Sequence, residues 1–237
     1  GQSMGSMYGY IYEGTYKYED FNKSGNTYTL KSNVPHYASE ANTQPGMPKY
    51  RDLNGDGVID SNDRTVIGNG LPKHTGGFTN NFNYRDFDLS IFFQWSYGND
   101  VLNANRLMFE SSWNRTRELN QYASYAERWT ESNPTSNIPR ATSSSSNRVF
   151  SSRIIEDGSF LRLKTVTLGY TVPRKMISRV GIEQLRVYFA AQNLFTISNY
   201  SGYDPEVSIR ESALTPGLDF SAYPRARSFS FGINLGF

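Results

Sequence analysis

The sequence predicts an all-β fold: an antiparallel transmembrane β-barrel segment of about six strands, part of a larger barrel, with long loops on one side. Three observations carry this expectation. The last residues alternate apolar and polar without a break, other stretches have the length needed to cross a bilayer, and the connections between strands are by turns very short and very long.

The alternation is clearest in RARSFSFGINLGF, where Phe229, Phe231, Ile233, Leu235 and Phe237 are apolar while Ser228, Ser230, Gly232, Asn234 and Gly236 are small or polar. Such period-two patterning is that of a strand with two unlike faces. A chain stopping on an outward aromatic such as Phe237 is the usual ending of a barrel assembled into an outer membrane. Residues 184–196 (QLRVYFAAQNLFT) and 160–172 (FLRLKTVTLGYTV) are also long enough to cross as tilted strands, which takes about 9–11 residues. Residues 78–84 and 87–97 are expected to form a hairpin around Arg85 and Asp86, with Leu89, Ile91, Phe93, Trp95 and Tyr97 on one face. A first strand is expected near residues 8–18.

The connections then run long over 19–77, tight at Arg85, long over 98–159, modest over 173–183 and long over 198–224. Read as structureless, three loops of that length are foreign to a soluble domain, whereas barrels carry long loops on their outer side. About six strands cannot close a barrel, since bacterial examples begin at about 8. The remaining strands are expected upstream of Gly1, which reads as a cut within a longer precursor because no export signal is visible. Within 103–130, Leu119, Tyr122, Tyr125, Ala126 and Trp129 have helical spacing and suggest a loop helix packed on the barrel rim. The TSSSSN run at 142–147 reads as a mobile low-complexity tract.

Composition agrees with a membrane strand fold. Aromatics make up 15% of the 237 residues, with 17 Tyr and 15 Phe, so rings rather than aliphatic side chains supply the apolar surface. The mean hydropathy of −0.59 does not exclude a membrane barrel, because its strands average lipid-facing and lumen-facing residues. The longest apolar patch, residues 89–95, is interrupted by Ser90 and Gln94, which excludes a membrane-spanning helix. With 24 basic and 22 acidic residues and no dense Lys/Arg block, nucleic acid is not an expected partner. The absence of cysteine removes disulfides and thiolate metal sites.

The sharpest local motif is DLNGDGVIDSND, residues 52–63. It places side-chain oxygens at positions 1, 3, 5, 9 and 12 of a calcium-type loop, as Asp52, Asn54, Asp56, Asp60 and Asp63. Val58 would add its backbone carbonyl, and Gly57 stands where a sharp turn is needed. The loop is expected to bind Ca2+ in a structural role. Asp63 departs from the longer Glu usual at the last position, and the other reading is an Asx-rich turn that caps its own amides. GQSMG at residues 1–5 matches a nucleophile-elbow pattern by spacing alone, with no preceding strand and no acid or histidine placed to serve it. His36 and His74 each stand alone, so no enzyme is expected. Trp95, Trp113, Trp129 and the many Tyr could stack on sugar rings, although Trp95 and Tyr97 at a strand end also suit an interfacial aromatic girdle.

Beyond these patterns, the chain resembles the C-terminal portion of SusC/RagA-family TonB-dependent outer-membrane transporters. The likeness is carried by MGSMYGYIYEGTY, by PKYRDLNGDGVIDSNDRTVIGNGLPKHTGGFTNNFNYRDFDLSIFFQWSYGNDVLN, by DGSFLRLKTVTLGYTVP, by LRVYFAAQNLFTISNYSGYDPEV and by YPRARSFSFGINLGF. Residues 107–150 are not diagnostic. The resemblance implies that residues 1–237 are barrel wall and outer loops of a plugged barrel of about 22 strands in the bacterial outer membrane. It implies uptake of glycan or peptide fragments with a SusD-like surface lipoprotein, driven by TonB through a plug that these residues do not include. The alternative left open by the residues themselves is a secreted, calcium-stabilised β-rich adhesin or carbohydrate-binding module.

Overall fold

Val, Thr, Phe and Tyr fill the longest alternating stretches, and such β-branched and aromatic side chains pack well on a pleated surface. In the computed structural model, which describes residues 1–37, 39–112, 120–142, 149–178, 181–206 and 215–237, those stretches are strands. The chain divides into two units, described separately.

The first comprises Pro72–Asn99, Asp157–Val207 and Tyr223–Phe237. Its five long strands are β1 (His74–Tyr84), β2 (Phe87–Tyr97), β3 (Phe160–Thr171), β4 (Gln184–Ser198) and β5 (Ser228–Gly236). They form one antiparallel sheet in which each strand lies beside the next in sequence. This is the barrel-type antiparallel architecture expected. The β1–β2 hairpin closes through Arg85 and Asp86, with Tyr84 paired to Phe87 and Arg85 at φ 54°. A two-residue turn of that hand matches the twist of the flanking strands. A helical turn, Arg174–Ile177, joins β3 to β4.

Register sorts the side chains. Phe82, Leu89, Leu168, Phe189 and Phe231 lie opposite one another across all five strands, as do Tyr84, Phe87, Tyr170, Val187 and Ile233 one row on. The alternate rows read Asn83, Asp88, Gly169, Tyr188, Gly232 and Asn81, Ser90, Thr167, Ala190, Ser230. One face is thus apolar and the other mostly polar. A bulge at Lys164 keeps it so: Phe92 faces Thr165 and Phe93 faces Leu163, so Leu163 and Val166 share the apolar face although three positions apart. In β4, Asn193 at φ 52° takes up the same irregularity. The apolar face is open, with Phe231 83%, Ile233 66% and Phe82 55% exposed.

The second unit comprises Gly1–Leu71, Asp100–Glu156 and Ser208–Ala222. Here the expectation of structureless loops fails. Short strands pair as Ser6–Gly9 with Thr65–Asn69, Tyr12–Thr15 with Pro48–Tyr50, Phe21–Ser24 with Thr27–Leu30, and His36–Tyr37 with Val58–Ile59. Two aromatic cores hold them, one of Tyr10, Tyr50 and Ile59 and one of Tyr16, Phe21 and Leu30. Burial pushes the Tyr12, Tyr16 and Tyr50 phenols up. The single crossing expected at 8–18 is instead two short strands with different partners, because Tyr10 and Tyr16 alternate into these local cores rather than onto the long sheet. The expected loop helix over 103–130 is a short helix, Ala104–Phe109, and a 3-10 turn, Ala123–Glu127. Of the expected apolar helix face only Tyr125 and Trp129 are buried; Tyr122 and Ala126 are exposed and Trp129 lies beyond the turn, because a 3-10 turn this short does not keep residues 122–129 on one side, while Trp113 and Leu119 lie outside the described residues. Of the Ser-rich tract only Thr142 lies among the described residues.

Candidate functional site

Three arrangements can carry function. The first is the polar face of the long sheet, where Asp88 on β2 and Arg186 on β4 join across the intervening β3. Arg186 Nε donates to Asp88 Oδ1 at 3.0 Å and Nη2 to Oδ2 at 2.6 Å. This two-pronged geometry is the strong form of the pair. Gly169 lies between them, and a Cβ there would stand 2.4 Å from both groups. The Arg186 guanidinium also lies over Tyr188, whose ring in turn covers Gly232. Nearer the other end of the strands, Lys164 Nζ donates to Gln94 Oε1 at 2.6 Å. The face is a wall of donors and acceptors that water or a polar solute can contact.

At the start of β3 the same face carries Arg162, only 2% exposed. Its Nη2 donates to Asp204 Oδ1 at 2.5 Å, and its Nη1 lies 3.2 Å from Glu206 Oε2. Asp204 also accepts the amides of Glu206 and Arg225, and the Arg225 side chain pairs with Glu206. The segment after β4 is therefore fastened to β3 by a buried charge network. Burial pushes the Asp204 carboxyl up, but the Arg225 and Glu206 amides and the Arg162 guanidinium outweigh it and hold the group below the usual carboxylate range. Sequence reading passed over this network. Its only signal was an arginine at an inward position otherwise occupied by Thr, Ser and Gln.

The third arrangement is the loop 52–63. The Gly55 and Gly57 amides donate to the two oxygens of Asp52 at 2.7 and 2.8 Å, with both glycines at positive φ, 77° and 85°. Only glycine takes up that backbone without strain. Asn54 Oδ1 accepts from the Asp56 amide, Asp56 Oδ1 from the Val58 amide, and Asp60 Oδ1 from the Asn62 amide. Asp63, 0% exposed, accepts the Leu53 and Asp60 amides at 2.7 and 2.8 Å and so ties the two ends of the loop together. Burial pushes its carboxyl up, yet the amides of Asp60, Leu53 and Asn54 together bring it below the usual range. Among the described residues, no three Asp, Glu, His or Cys side chains converge closely enough to hold a metal by themselves. Each carboxylate has about four lone-pair directions, so amide capping leaves acceptor capacity for a cation.

The remaining candidates separate. Ser3 is held in a turn, its carbonyl accepting the Ser6 amide. His36 lies in the strand His36–Tyr37, and His74 opens β1. There His74 Nδ1 accepts the Trp95 indole N–H at 3.1 Å and the imidazole stacks on Tyr97, the cluster of amphipathic rings expected at that strand end.

No protein-family model matches the chain. It is 34% identical over 242 residues to TonB-dependent receptor P3 of Formosa agariphila, a match that covers 100% of this chain and 22% of that protein. It is 30% identical over 200 residues to TonB-dependent receptor SusC of Bacteroides thetaiotaomicron, covering 84% of this chain and 18% of that protein. The chain thus spans about a fifth of the length of the curated relatives it matches. Among solved structures, the RagAB peptide transporter superposes with a TM-score of 0.72 at 24% identity, over 98% of this chain and 23% of that chain. The RagAB peptide importer in its closed-closed state gives 0.71 at 25%, over the same shares.

The buried network yields a pH dependence. A carboxylate held low in the folded state stabilises it above the unfolded value, about 3.9, and that contribution disappears as pH falls through the lower folded value. Asp204→Ala is expected to destabilise the sheet unit by about 3–5 kcal/mol at pH 7, because it leaves Arg162 buried without its main partner. Guanidinium unfolding in detergent micelles from pH 7 down to about pH 3 should show the gap between wild type and variant narrowing below about pH 4. A gap independent of pH would contradict the assignment.

Proposed function

Because the chain is a SusC/RagA-like portion of a TonB-dependent receptor, we propose that it forms wall and outer loops of a nutrient importer in the bacterial outer membrane. The observation that carries this is the two-faced sheet: rows of Phe, Leu, Ile and Val on one side and of Asn, Ser, Thr and an ion pair on the other. An exposed apolar face spanning five strands is a liability in water and a seat in lipid. The polar face then lines the route of a glycan or peptide fragment. A SusD-like surface lipoprotein would cover the outer side and TonB would supply energy through a plug belonging to the rest of the receptor. The likeness in fold to the RagAB peptide transporter supports peptides among these cargoes, and the relatives' common name, TonB-dependent receptor, supports the energy source.

The test places lysine on each face of β5 in the full-length receptor. Phe231→Lys sets a charge toward lipid, where it costs about 2–4 kcal/mol at mid-depth. Folded receptor in the outer membrane should fall severalfold, and uptake with it, while Ser230→Lys on the neighbouring inward position leaves the amount unchanged. Deleting TonB should abolish uptake and leave both amounts as they were. Equal effects of the two lysines, or uptake that persists without TonB, would overturn the reading.

We also propose that the loop 52–63 takes up one structural Ca2+ through Asp52, Asn54, Asp56, Asp60, Asp63 and the Val58 carbonyl. The spacing of five side-chain oxygens and the two left-handed glycines support it. With the shorter Asp63, affinity near 10⁻⁴ to 10⁻³ M, about that of extracellular modules, is expected. Calorimetry should register one Ca2+ in the wild type and none in the Asp52→Ala, Asp56→Ala double variant. Equal heats from both would leave amide capping as the whole role of these side chains.

A further inference from the structure

The short-turn end of the sheet unit carries positive charges that none of the roles above uses. The last row of the apolar face there is Tyr84, Phe87, Tyr170, Val187 and Ile233. Tyr84 is 70% exposed, and the Phe87 and Tyr170 rings lie 4.7 Å apart. Just beyond this row stands Arg85 at the hairpin tip, its guanidinium 5.3 Å from the centre of the Tyr84 ring. The Thr171 amide donates to the Asp86 carbonyl at 2.8 Å, which ties that tip to the end of β3. The helical turn Arg174–Ile177 follows at once. Its Ile177 is buried, whereas Arg174, Lys175 and Met176 are exposed.

Strand length sets the depth of this rim. At about 3.4 Å per residue the 11 residues of β1, from His74 to Tyr84, extend about 34 Å, and at a barrel tilt of about 40° they rise about 26 Å. That rise matches an apolar band of about 25 Å, so Tyr84 lies at one boundary and Arg85 at the level of the headgroups. Short turns belong to the inner side of such barrels, which makes this the boundary of the inner leaflet. Aromatic rings favour that level, and Met176 offers apolar surface to acyl chains beside its basic neighbours.

Charge selects the headgroup. Residues 85–86 and 172–183 contain Arg85, Arg174, Lys175 and Arg179 against Asp86 and Glu183, four basic and two acidic residues, a surplus of +2. Glu183 lies 3.5 Å from Arg174, and among the described residues neither Arg85 nor Lys175 has a carboxylate partner. A zwitterionic headgroup brings its own ammonium to its phosphate and gains little from two further cations. The phosphodiester of phosphatidylglycerol has no such companion, and guanidinium and ammonium donors suit its oxygens.

We infer that the rim formed by Tyr84, Arg85, Arg174 and Lys175 binds the phosphate of an anionic phospholipid of the inner leaflet. The inference goes beyond the import reading and rests on the membrane seat proposed there.

The test offers the full-length receptor in detergent equal amounts of phosphatidylglycerol and phosphatidylcholine with the same acyl chains, and reads the bound lipid by native mass spectrometry. A basic side chain near an anionic headgroup is worth about fivefold in binding, so wild type should favour phosphatidylglycerol on the order of tenfold. The double variant Arg85→Gln, Lys175→Gln should fall to within about twofold of no preference, and Arg85→Lys, Lys175→Arg should keep it. Removing two positive charges from the other unit, with Lys23→Gln and Arg51→Gln, should leave the preference intact. All these side chains are exposed, and the amount of folded receptor in the membrane is read in parallel. Equal retention of the two lipids by wild type, a preference that survives the rim glutamines, or one lost equally in the distant pair would overturn the inference and leave the import reading standing. A receptor that holds neither lipid and stays monodisperse without detergent would contradict the membrane seat itself.

Discussion

Strand register is the constraint on which the rest of the sheet depends. A slip of one residue in any of the five strands would move its apolar set to the other side, and the paired rows from Phe82 to Phe231 would break. The bulge at Lys164 is the clearest sign of this control. Without the extra residue, Leu161 and Leu163 would turn to the polar face and Arg162 to the apolar one. The glycines on the polar face follow from the same rows: Gly169 clears the path of the Asp88–Arg186 pair, and Gly232 receives the Tyr188 ring. Among the described residues both outer strands, β1 and β5, have a neighbour on one side only. In lipid such edges must find partners, because unpaired backbone groups there cost several kcal/mol each; the proposed membrane seat therefore entails further strands.

A second level of order is electrostatic. Arg162, Asp204 and Glu206 are charges taken out of water, and they are tolerable because each meets an opposite charge or an amide. The network ties the entry to the segment after β4 to the start of β3. The other unit solves its packing differently, with clusters of Tyr, Phe and Ile under short strand pairs. Functional loops mounted on rigid frames are the common arrangement in binding proteins, and here the loops have frames of their own.

The long strands were legible because alternation, length and turn residues all pointed the same way. The hairpin at Arg85 and the strand 87–97 are found where the patterning put them, and β3 and β4 differ by a residue or two at their ends. The stretch 8–18 misled because Tyr8, Tyr10 and Tyr12 alternate as faithfully in a strand packed on a local core as in one facing lipid. Nothing in a period of two says which apolar phase it meets. The fold of the loop unit was illegible for another reason: its cores join residues far apart in sequence, such as Tyr10, Tyr50 and Ile59, through strands only two to five residues long. At the loop 52–63 the sequence named the side chains that cluster, and the amide bonds they make are compatible with either reading of them. The buried Arg162 network depends on a partner more than forty positions away and left almost no local mark.

The most direct test of the two-faced wall exploits the absence of cysteine from these 237 residues, with any cysteine elsewhere in the receptor replaced by serine. Single cysteines placed in turn along residues 88–94 of the full-length receptor in lipid vesicles can be spin-labelled and probed for collision with oxygen and with a water-soluble nickel chelate. The two-faced wall predicts that labels at Leu89, Ile91 and Phe93 favour oxygen and those at Asp88, Ser90 and Gln94 favour the chelate, with a period of two. Equal access of the chelate to both sets would show that the apolar rows do not face lipid.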